Sequence, residues 1–566
     1  MDKIRTAEYK SKDYSNFNLK FPEVELLLDQ IEMIKRRKIR DSDEVINYID
    51  PLNHVKTLKN PVNHLIIGRR GAGKTSLLIK VIEEIKKTGG FITTVDMQSK
   101  QRLSADLPLV EVLLKLYTEL LLNIESNQTW EPYIKRKSKI KFYKLKSLYF
   151  GLIKKELWTN DFVKFDTLHF SIINIIGQLE QIKKTPDGAS LKTSEVDTKK
   201  RSKISNLKVS STISADTKYL EIVNAQAYIK ANYSIVSEEE KLQNKTTEFI
   251  VSYSKKEALD ILKTEIVECL ENFHNLIKIP IHLILDDFYQ IPINNQPYIF
   301  QYLHDLNKET SKKVFSFKAC LVPHRFKLNE ISNKILSHKD DFSTINLDRD
   351  FYELEDNKDL LFKILCGIDP SLGFTSVRIH KLFNDQVVLN NCIRASGALP
   401  RYFLDVFSNM VKYSLAENQT KIHKMVLSMV IRKIKQSKDE LIIEEAYLPE
   451  MQIRKLYRII EEEVVHGLRT NIVLYPYESF KDNEGILNSL INLGYLHRVK
   501  EKIVVEKSNY VPLFIDMVFT HTQSEKMPTG FRDVKFWTKN GKELKESPKW
   551  EFNKSQLETI ECLNLN

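Results

Sequence analysis

An α/β fold, a three-layer core around a parallel sheet, is predicted from two apolar runs and a helix that follows the first of them. His64-Leu-Ile-Ile67 and the run from Ile279 to Leu285 are short and apolar apart from His64 and His282, as strands buried on both faces are. Ser76-Leu-Leu-Ile-Lys-Val-Ile-Glu-Glu-Ile85 places apolar residues at helical spacing directly after the first run, and Gly89-Gly90 closes it. A strand feeding straight into a helix is the unit from which parallel sheets are built.

The turn between that strand and helix is Gly68-Arg69-Arg70-Gly71-Ala72-Gly73-Lys74-Thr75, which fits the pattern G-x-x-x-x-G-K-[ST]. Glycines let successive backbone N–H groups curl around a phosphate, and the helix N-terminus adds partial positive charge. Lys74, read as a solvent-facing ligand, reaches the β- and γ-phosphates, while the Thr75 hydroxyl ligates Mg²⁺. Gly68, Arg69, Arg70, Gly71, Ala72, Gly73, Lys74, Thr75 and Ser76 are therefore the candidate nucleotide-binding residues, with ATP and Mg²⁺ the expected ligands. A carboxylate for the metal belongs at the end of a neighbouring strand. The second apolar run ends in Asp286-Asp287. Asp286 is the candidate Mg²⁺ partner, and Asp287 the candidate that orients or deprotonates the attacking water. An Asp at the second position reaches one methylene less than a Glu, which suits slow, switch-like hydrolysis.

Phe91-Ile-Thr-Thr-Val95 reads as a second strand, and Val314 to Val322 as a further core strand. A polar residue near the end of the latter normally senses the γ-phosphate; Cys320, His324 and Arg325 are the candidates. Ala395-Ser-Gly-Ala-Leu-Pro-Arg-Tyr402 then opens a helix running to Val411, with Arg401 placed to fold back over the nucleotide.

The series Gly68–Thr75, Leu283–Asp287 and Gly397-Ala-Leu-Pro-Arg401 resembles a AAA+ ATPase. The last motif is similar to the second sensor of the origin-recognition and initiator clade. The paired aspartates and the Gly-x-x-Pro turn also resemble signal-transduction ATPases, nucleotide-controlled oligomerising switches of which many act in immunity. The likeness covers residues 45–110 and 255–415. It implies an ATPase in which Lys74, Asp287 and Arg401 are catalytic, a homo-oligomer, and an assembly role in DNA transactions or antiviral defence. The chain departs from the family at the first sensor, and its arginine finger is open between Arg325 and Arg349.

The organisation expected is an N-terminal helical segment over 1–60 and a nucleotide-binding core over 61–350, interrupted by an insertion at about 105–253. A helical lid over 351–415 and a winged-helix-like C-terminal domain over 416–566 follow. More than 200 positions separate Lys74 from Asp286, which is why an insertion is required. Within it, Leu109–Ile124 reads as a helix, 133–146 is lysine-rich with interleaved aromatics, 183–217 reads as a mobile loop, and Ala225–Val251 suits a small hairpin. Ser254–Leu276 is a helix returning to the Asp-Asp strand. At the far end, Asp482–Gly494 is the would-be recognition helix, poor in basic groups, and Arg498, Lys500, Lys502 and Lys507 form a basic wing.

With 566 residues and 42% hydrophobic content the chain has ample material for several cores. The net charge of +11 and pI near 9.0 permit a polyanionic partner. The five cysteines are scattered, with no C-x-x-C pair, which argues against zinc and disulfides and fits a reducing cytoplasm. No apolar run spans a bilayer, and the first residues lack a signal-peptide core, so no membrane partner is expected. The alternative to a nucleic-acid partner is a nucleotide-binding scaffold that recruits a protein effector.

Overall fold

Strands and helices alternate as the apolar runs predict, and the strands pair out of chain order. The computed structural model describes residues 16–35, 48–100, 107–126, 160–184, 191–194, 250–311, 313–329, 336–445, 450–520, 529–537, 541–553 and 555–558. Helices α1 (Pro22–Lys35) and α2 (His54–Leu58) precede β1 (His64–Ile67), α3 (Lys74–Lys87) and β2 (Phe91–Asp96). Next come α4 (Leu107–Ser126), α5 (Asn160–Lys184), β3 (Leu191–Ser194), β4 (Ile250–Tyr253) and α6 (Lys255–Ile277). The core closes with β5 (Ile281–Asp286), α7 (Gln296–Glu309), β6 (Phe315–Leu321) and β7 (Ser343–Asn346).

The five-stranded sheet runs β2-β5-β6-β1-β7, and every recorded pairing in it is parallel. This order sets β1, which feeds the phosphate loop, beside β6 and next but one to β5, which ends in the aspartates. A parallel sheet needs cover on both faces, and it has it. On one face α2 and α3 pack against Ile66, Ile284, Cys320 and Ile345. On the other, α4, α5, α6 and α7 form a second apolar core over Leu65, Leu283, Leu285 and Phe317. The expected α/β three-layer core is thus present.

Helix α6 starts where its sequence says it should. Ser254 accepts from the Glu257 N–H, and Glu257 reaches back to the Ser254 N–H at 2.7 Å, a reciprocal capping box. The insertion departs from expectation in one respect. Strand β3 lies inside the stretch read as a mobile loop, and it pairs antiparallel with β4, so the hairpin partners are far apart in sequence. The lysine-rich 133–146 stretch and residues 195–249 lie outside the described residues.

Helices α8 (Leu354–Ile368), α9 (Ser376–Leu382), α10 (Gln386–Ala395) and α11 (Pro400–Ala416) form the lid. After them come α12 (Lys424–Glu445) and α13 (Glu450–Ile459), which runs on into a wider π-type turn through Leu468. Strand β8 (Ile472–Pro476), α14 (Tyr477–Asp482), α15 (Glu484–Asn492), β9 (Leu496–Arg498), β10 (Ile503–Val505) and β11 (Ser508–Ile515) make the C-terminal sheet and its helices. That sheet is antiparallel, with β11 pairing β8, β9 and β10. The recognition helix expected over 482–494 is α15, with the separate short helix α14 ending just before it at Asp482. Lid, C-terminal elements and α1 share one apolar core, and α1 is further tied to α11 by Lys35–Asp405 at 2.7 Å.

Candidate functional site

Gly71 and Gly73 take φ of 83° and 96°, the left-handed region in which side chains are strained, and so the loop can turn its amides inward. A Cβ added to Gly73 would meet nothing within 4 Å, so the backbone there borders open space. Lys74 begins α3 but is not solvent-facing as expected. It is 7% exposed and its Nζ donates to the carbonyls of Gly68 at 2.7 Å and Arg69 at 3.1 Å. Burial lowers its pKa against the pull of the neighbouring carboxylates Asp348, Asp287 and Asp286. The ammonium is folded onto its own loop, where a phosphate oxygen can replace the carbonyls.

Thr75 Oγ1 donates to Asp286 Oδ2 at 2.9 Å, so the two candidate metal-binding side chains meet. Burial, then the charge of Asp287, pushes the Asp286 carboxyl up to about 7. Asp287 has φ of 50°, and its N–H donates to Asp286 Oδ1 at 3.0 Å. Burial also raises the Asp287 pKa, opposed first by Lys74. Two buried carboxyls side by side next to one lysine form a site short of positive charge, and a hard divalent cation supplies it. The residues present therefore fit Mg²⁺, which Thr75 and Asp286 would hold.

Cys320, in β6 beside Ile66 of β1, is buried against Asp286, and burial holds its thiol well above the usual range. Of the other two sensor candidates, His324 is turned away. Its Nδ1 pairs with Glu484 of α15 at 3.1 Å, and burial lowers its pKa. Arg325 lies over the Tyr289 ring at 5.3 Å. Tyr289, unforeseen in the sequence, hydrogen-bonds Asp287 and lies under Lys74 at 5.7 Å.

The lid reaches the loop directly. The Arg401 N–H donates to the Gly71 carbonyl at 3.1 Å, and a Cβ at Gly71 would stand 3.1 Å from Arg401 Cβ. The Arg401 side chain is exposed at this junction. Gly397 and Ala398 both take left-handed φ before α11, and a Cβ at Gly397 would fall 2.3 Å from the His497 ring. The turn is therefore packed against β9 of the C-terminal sheet.

Arg69 takes a part in structure that the motif does not announce. Asp348 accepts from its N–H at 2.9 and 3.1 Å and from its Nε at 3.4 Å, clamping the loop to the end of β7. Arg349 lies with Tyr48, Asp50 and His54, at the segment before β1. Asp50 accepts from the N–H groups of His54 and Val55, both at 2.8 Å, and so shapes this segment. A signal for these contacts would have been an acid after a fifth strand, but β7 is too short and too polar to read as a core strand.

The would-be recognition helix is largely covered. Ile486, Leu487, Asn488, Leu490 and Ile491 are buried, Glu484 holds His324, and Asn492 Nδ2 donates to the Pro323 carbonyl at 3.2 Å. Arg498 does not belong to the wing as expected: it is half-buried, 4.9 Å over the Phe480 ring. Lys500 covers the Tyr352 ring, which leaves Lys502 and Lys507 as the exposed basic groups of the wing.

Strand order, phosphate loop and paired aspartates make a parallel α/β core of P-loop type, with the start of α11 docked on the loop. No protein-family model and no curated protein sequence matches the chain. Among solved structures it is similar to Cdc6p from Pyrobaculum aerophilum, at 12% identity, covering 89% of this chain and 94% of that one, with a TM-score of 0.29. It is similar to Drosophila ORC bound to DNA at 10% identity, 91% and 96% coverage and a TM-score of 0.32. It is also similar to the Thermotoga maritima RuvB Holliday junction branch migration motor, at 11% identity, 44% and 80% coverage and a TM-score of 0.21. No helix among the described residues is long and apolar enough to cross a membrane, and none of their His, Cys, Asp and Glu side chains group as a metal cluster.

Proposed function

We propose that this chain is an ATP-binding, slowly hydrolysing switch that couples nucleotide state to assembly, in DNA transactions or microbial antiviral defence. The observation that carries the reading is the convergence of Thr75 on Asp286 at 2.9 Å with the lid's Arg401 N–H on the Gly71 carbonyl. Loop amides and Lys74 bind the phosphates; Thr75 and Asp286 hold Mg²⁺, which offsets charge on the phosphate oxygens when bound. Asp287, oriented by Tyr289, takes the proton of the attacking water. Arg401 reads whether a γ-phosphate is there and sets the lid accordingly.

The C-terminal sheet and its helices act as a winged-helix-like module carried by the lid, since they share its apolar core. Lid movement would then free or seal α15. Nucleic acid, where it binds, is held through phosphate neutralisation by Lys502, Lys507 and the lysines of 133–146, not by groove reading from α15.

Lys74→Ala is expected to abolish ATP binding in an equilibrium titration; full affinity in that variant refutes the site. Wild-type binding to DNA in the presence of ATP should fall with salt at a slope of about −0.9 per phosphate neutralised and discriminate little between sequences. Absence of binding even at low salt moves the reading to a protein effector recruited by the same switch.

A further inference from the structure

The turn that delivers the lid's Arg401 to the phosphate loop is held from the C-terminal side by a chain of buried polar groups. Gly397 and Ala398 leave α10 with φ of 57° and 56°, a left-handed pair that side chains resist, so what packs around the turn has to keep it in place. Its own backbone fixes one side. The Gly397 N–H donates to the Arg394 carbonyl at 3.0 Å, and the Leu399 N–H to the Ser396 carbonyl at 3.1 Å. The His497 ring of β9 closes another side, where a Cβ at Gly397 would lie 2.5 Å from His497 Nδ1.

That ring does not yield easily. Its Nε2 is 2.7 Å from Asp516 Oδ2, and Asp516 Oδ1 accepts from Lys438 Nζ of α12 and from the Val518 N–H, both at 3.0 Å. Lys438 Nζ also donates to the Gly494 carbonyl. Phe351 and Phe514 pack against the ring with centroids at 5.4 and 5.8 Å, and His497, Asp516 and Lys438 are all buried. Hydrogen bonds to a buried charge are costly to break, so α12 and the end of β11 fix the ring, and the lid turn rests on it. Four residues after Gly397, the Arg401 N–H docks on the Gly71 carbonyl at 3.1 Å.

We propose that His497 is a positioning residue: it seats the Gly397 turn so that Arg401 meets the γ-phosphate, and it thereby makes the preference for ATP over ADP depend on the C-terminal sheet. The proposal rests on the reading of Arg401 given above. His497 acts through the turn and not on the nucleotide. With the ring in place, the start of α11 is delivered to the loop in one position. Without it the turn can retreat toward β9, and the Arg401 guanidinium loses its fixed distance from the loop. A charge-assisted contact needs that distance, so the loss falls on ATP, which carries the γ-phosphate, and spares ADP.

Equilibrium titration of ATP and of ADP on the full chain tests this, with the ratio of the two affinities as readout. Arg401→Ala removes the contact itself and should lower the preference for ATP by about tenfold or more. His497→Ala should lower it by at least about fivefold, with ADP affinity within about threefold of wild type. In the Arg401→Ala background the same substitution should change the ratio by less than about twofold, because its effect passes through that arginine. Gly397→Ala approaches the contact from the lid and leaves the Asp516–Lys438 pair untouched, so it carries the test even where His497→Ala does not fold. It should lower the ratio in the same sense and lose that effect in the Arg401→Ala background.

An unchanged ratio in folded His497→Ala or in Gly397→Ala, equal weakening of ATP and ADP, or a further fall of the ratio in the Arg401→Ala background overturns the proposal and leaves the Arg401 reading standing. A wild-type protein that binds ATP and ADP equally overturns it together with the Arg401 reading, while nucleotide binding stands. A wild-type protein that binds neither refutes the site itself.

Discussion

Strands β1, β5 and β6 carry buried ionisable groups at both ends of one sheet face, under α3. At their carboxyl ends Lys74, Thr75, Asp286 and Cys320 gather around the open turn of the phosphate loop. Toward their amino ends His64, His282, Ser316 and Lys318 gather. Lys318 Nζ lies 3.1 Å from His282 Nδ1 and 3.2 Å from Ser316 Oγ, and its residue is 0% exposed. The two ends are separated by Ile66 and Ile284 on the same face. One end sets Lys74 against the carboxyls of Asp286 and Asp287. The other collects bases alone, and burial makes them weaker bases: Lys318 is lowered to about 7, His64 to about 4 and His282 to about 3. A perturbed pKa therefore marks function here only where opposite charge accompanies it.

The sharpest way to break this contrast is Asp287→Asn. It should hold ATP and lose turnover by about 10²–10⁴-fold, the contribution of a general base. Unchanged turnover in a steady-state phosphate-release assay would strip the carboxyl end of its chemistry.

Arg401→Ala comes next. Loss of a charge-assisted contact to the γ-phosphate should weaken ATP more than ADP by about 1.5–3 kcal/mol. Equal weakening of both nucleotides, measured by calorimetry, would leave Arg401 as a mere helix start docked on Gly71.

Smallest is Lys318→Met at the other end. Unfolded Lys318 takes up its proton first as pH falls, so its contribution to stability is complete above about 10.5 and lost as pH falls through about 7. Removing it should raise stability at pH 7 by about 1–2 kcal/mol in urea unfolding, the lost hydrogen bonds with His282 and Ser316 offsetting part of the gain. It should also flatten the slope between pH 7 and 10. The histidines act in the same sense, their contributions complete above about 6.5 and lost as pH falls through about 4 and 3. Asp286 acts in the opposite sense: its contribution is complete below about 3.8 and lost as pH rises through about 7. A variant less stable than wild type at pH 7 would show that the amine anchors the sheet.

The phosphate loop was legible because its chemistry is contiguous: glycines for the turn, lysine and threonine at the first helical positions. Asp286 and Asp287 were legible because a buried parallel strand shows as an apolar run and its end is marked by the first polar residues. The Arg401 motif was legible as a helix start after a glycine turn. Contacts between distant segments were not. Asp348 clamps Arg69 from 279 positions away, Tyr289 reads as an ordinary residue of a turn, and Lys318 breaks an apolar run without saying whether it is buried or at an edge. Pattern also misled at α15. Its polarity profile is that of a helix half-exposed for recognition, yet the covering residues Pro323 and His324 come from the core.

By itself, then, the sequence determined the local conformations: where strands end, where the loop must curl, which helices are capped. These depend on neighbours along the chain, through backbone sterics and the spacing of apolar side chains. The tertiary structure alone decided the strand order β2-β5-β6-β1-β7, the clamping of Arg69 by Asp348, and the burial of Lys318 beside His282. Those outcomes depend on which surfaces meet across hundreds of positions, and on a burial cost for charge that no run of neighbouring residues reveals.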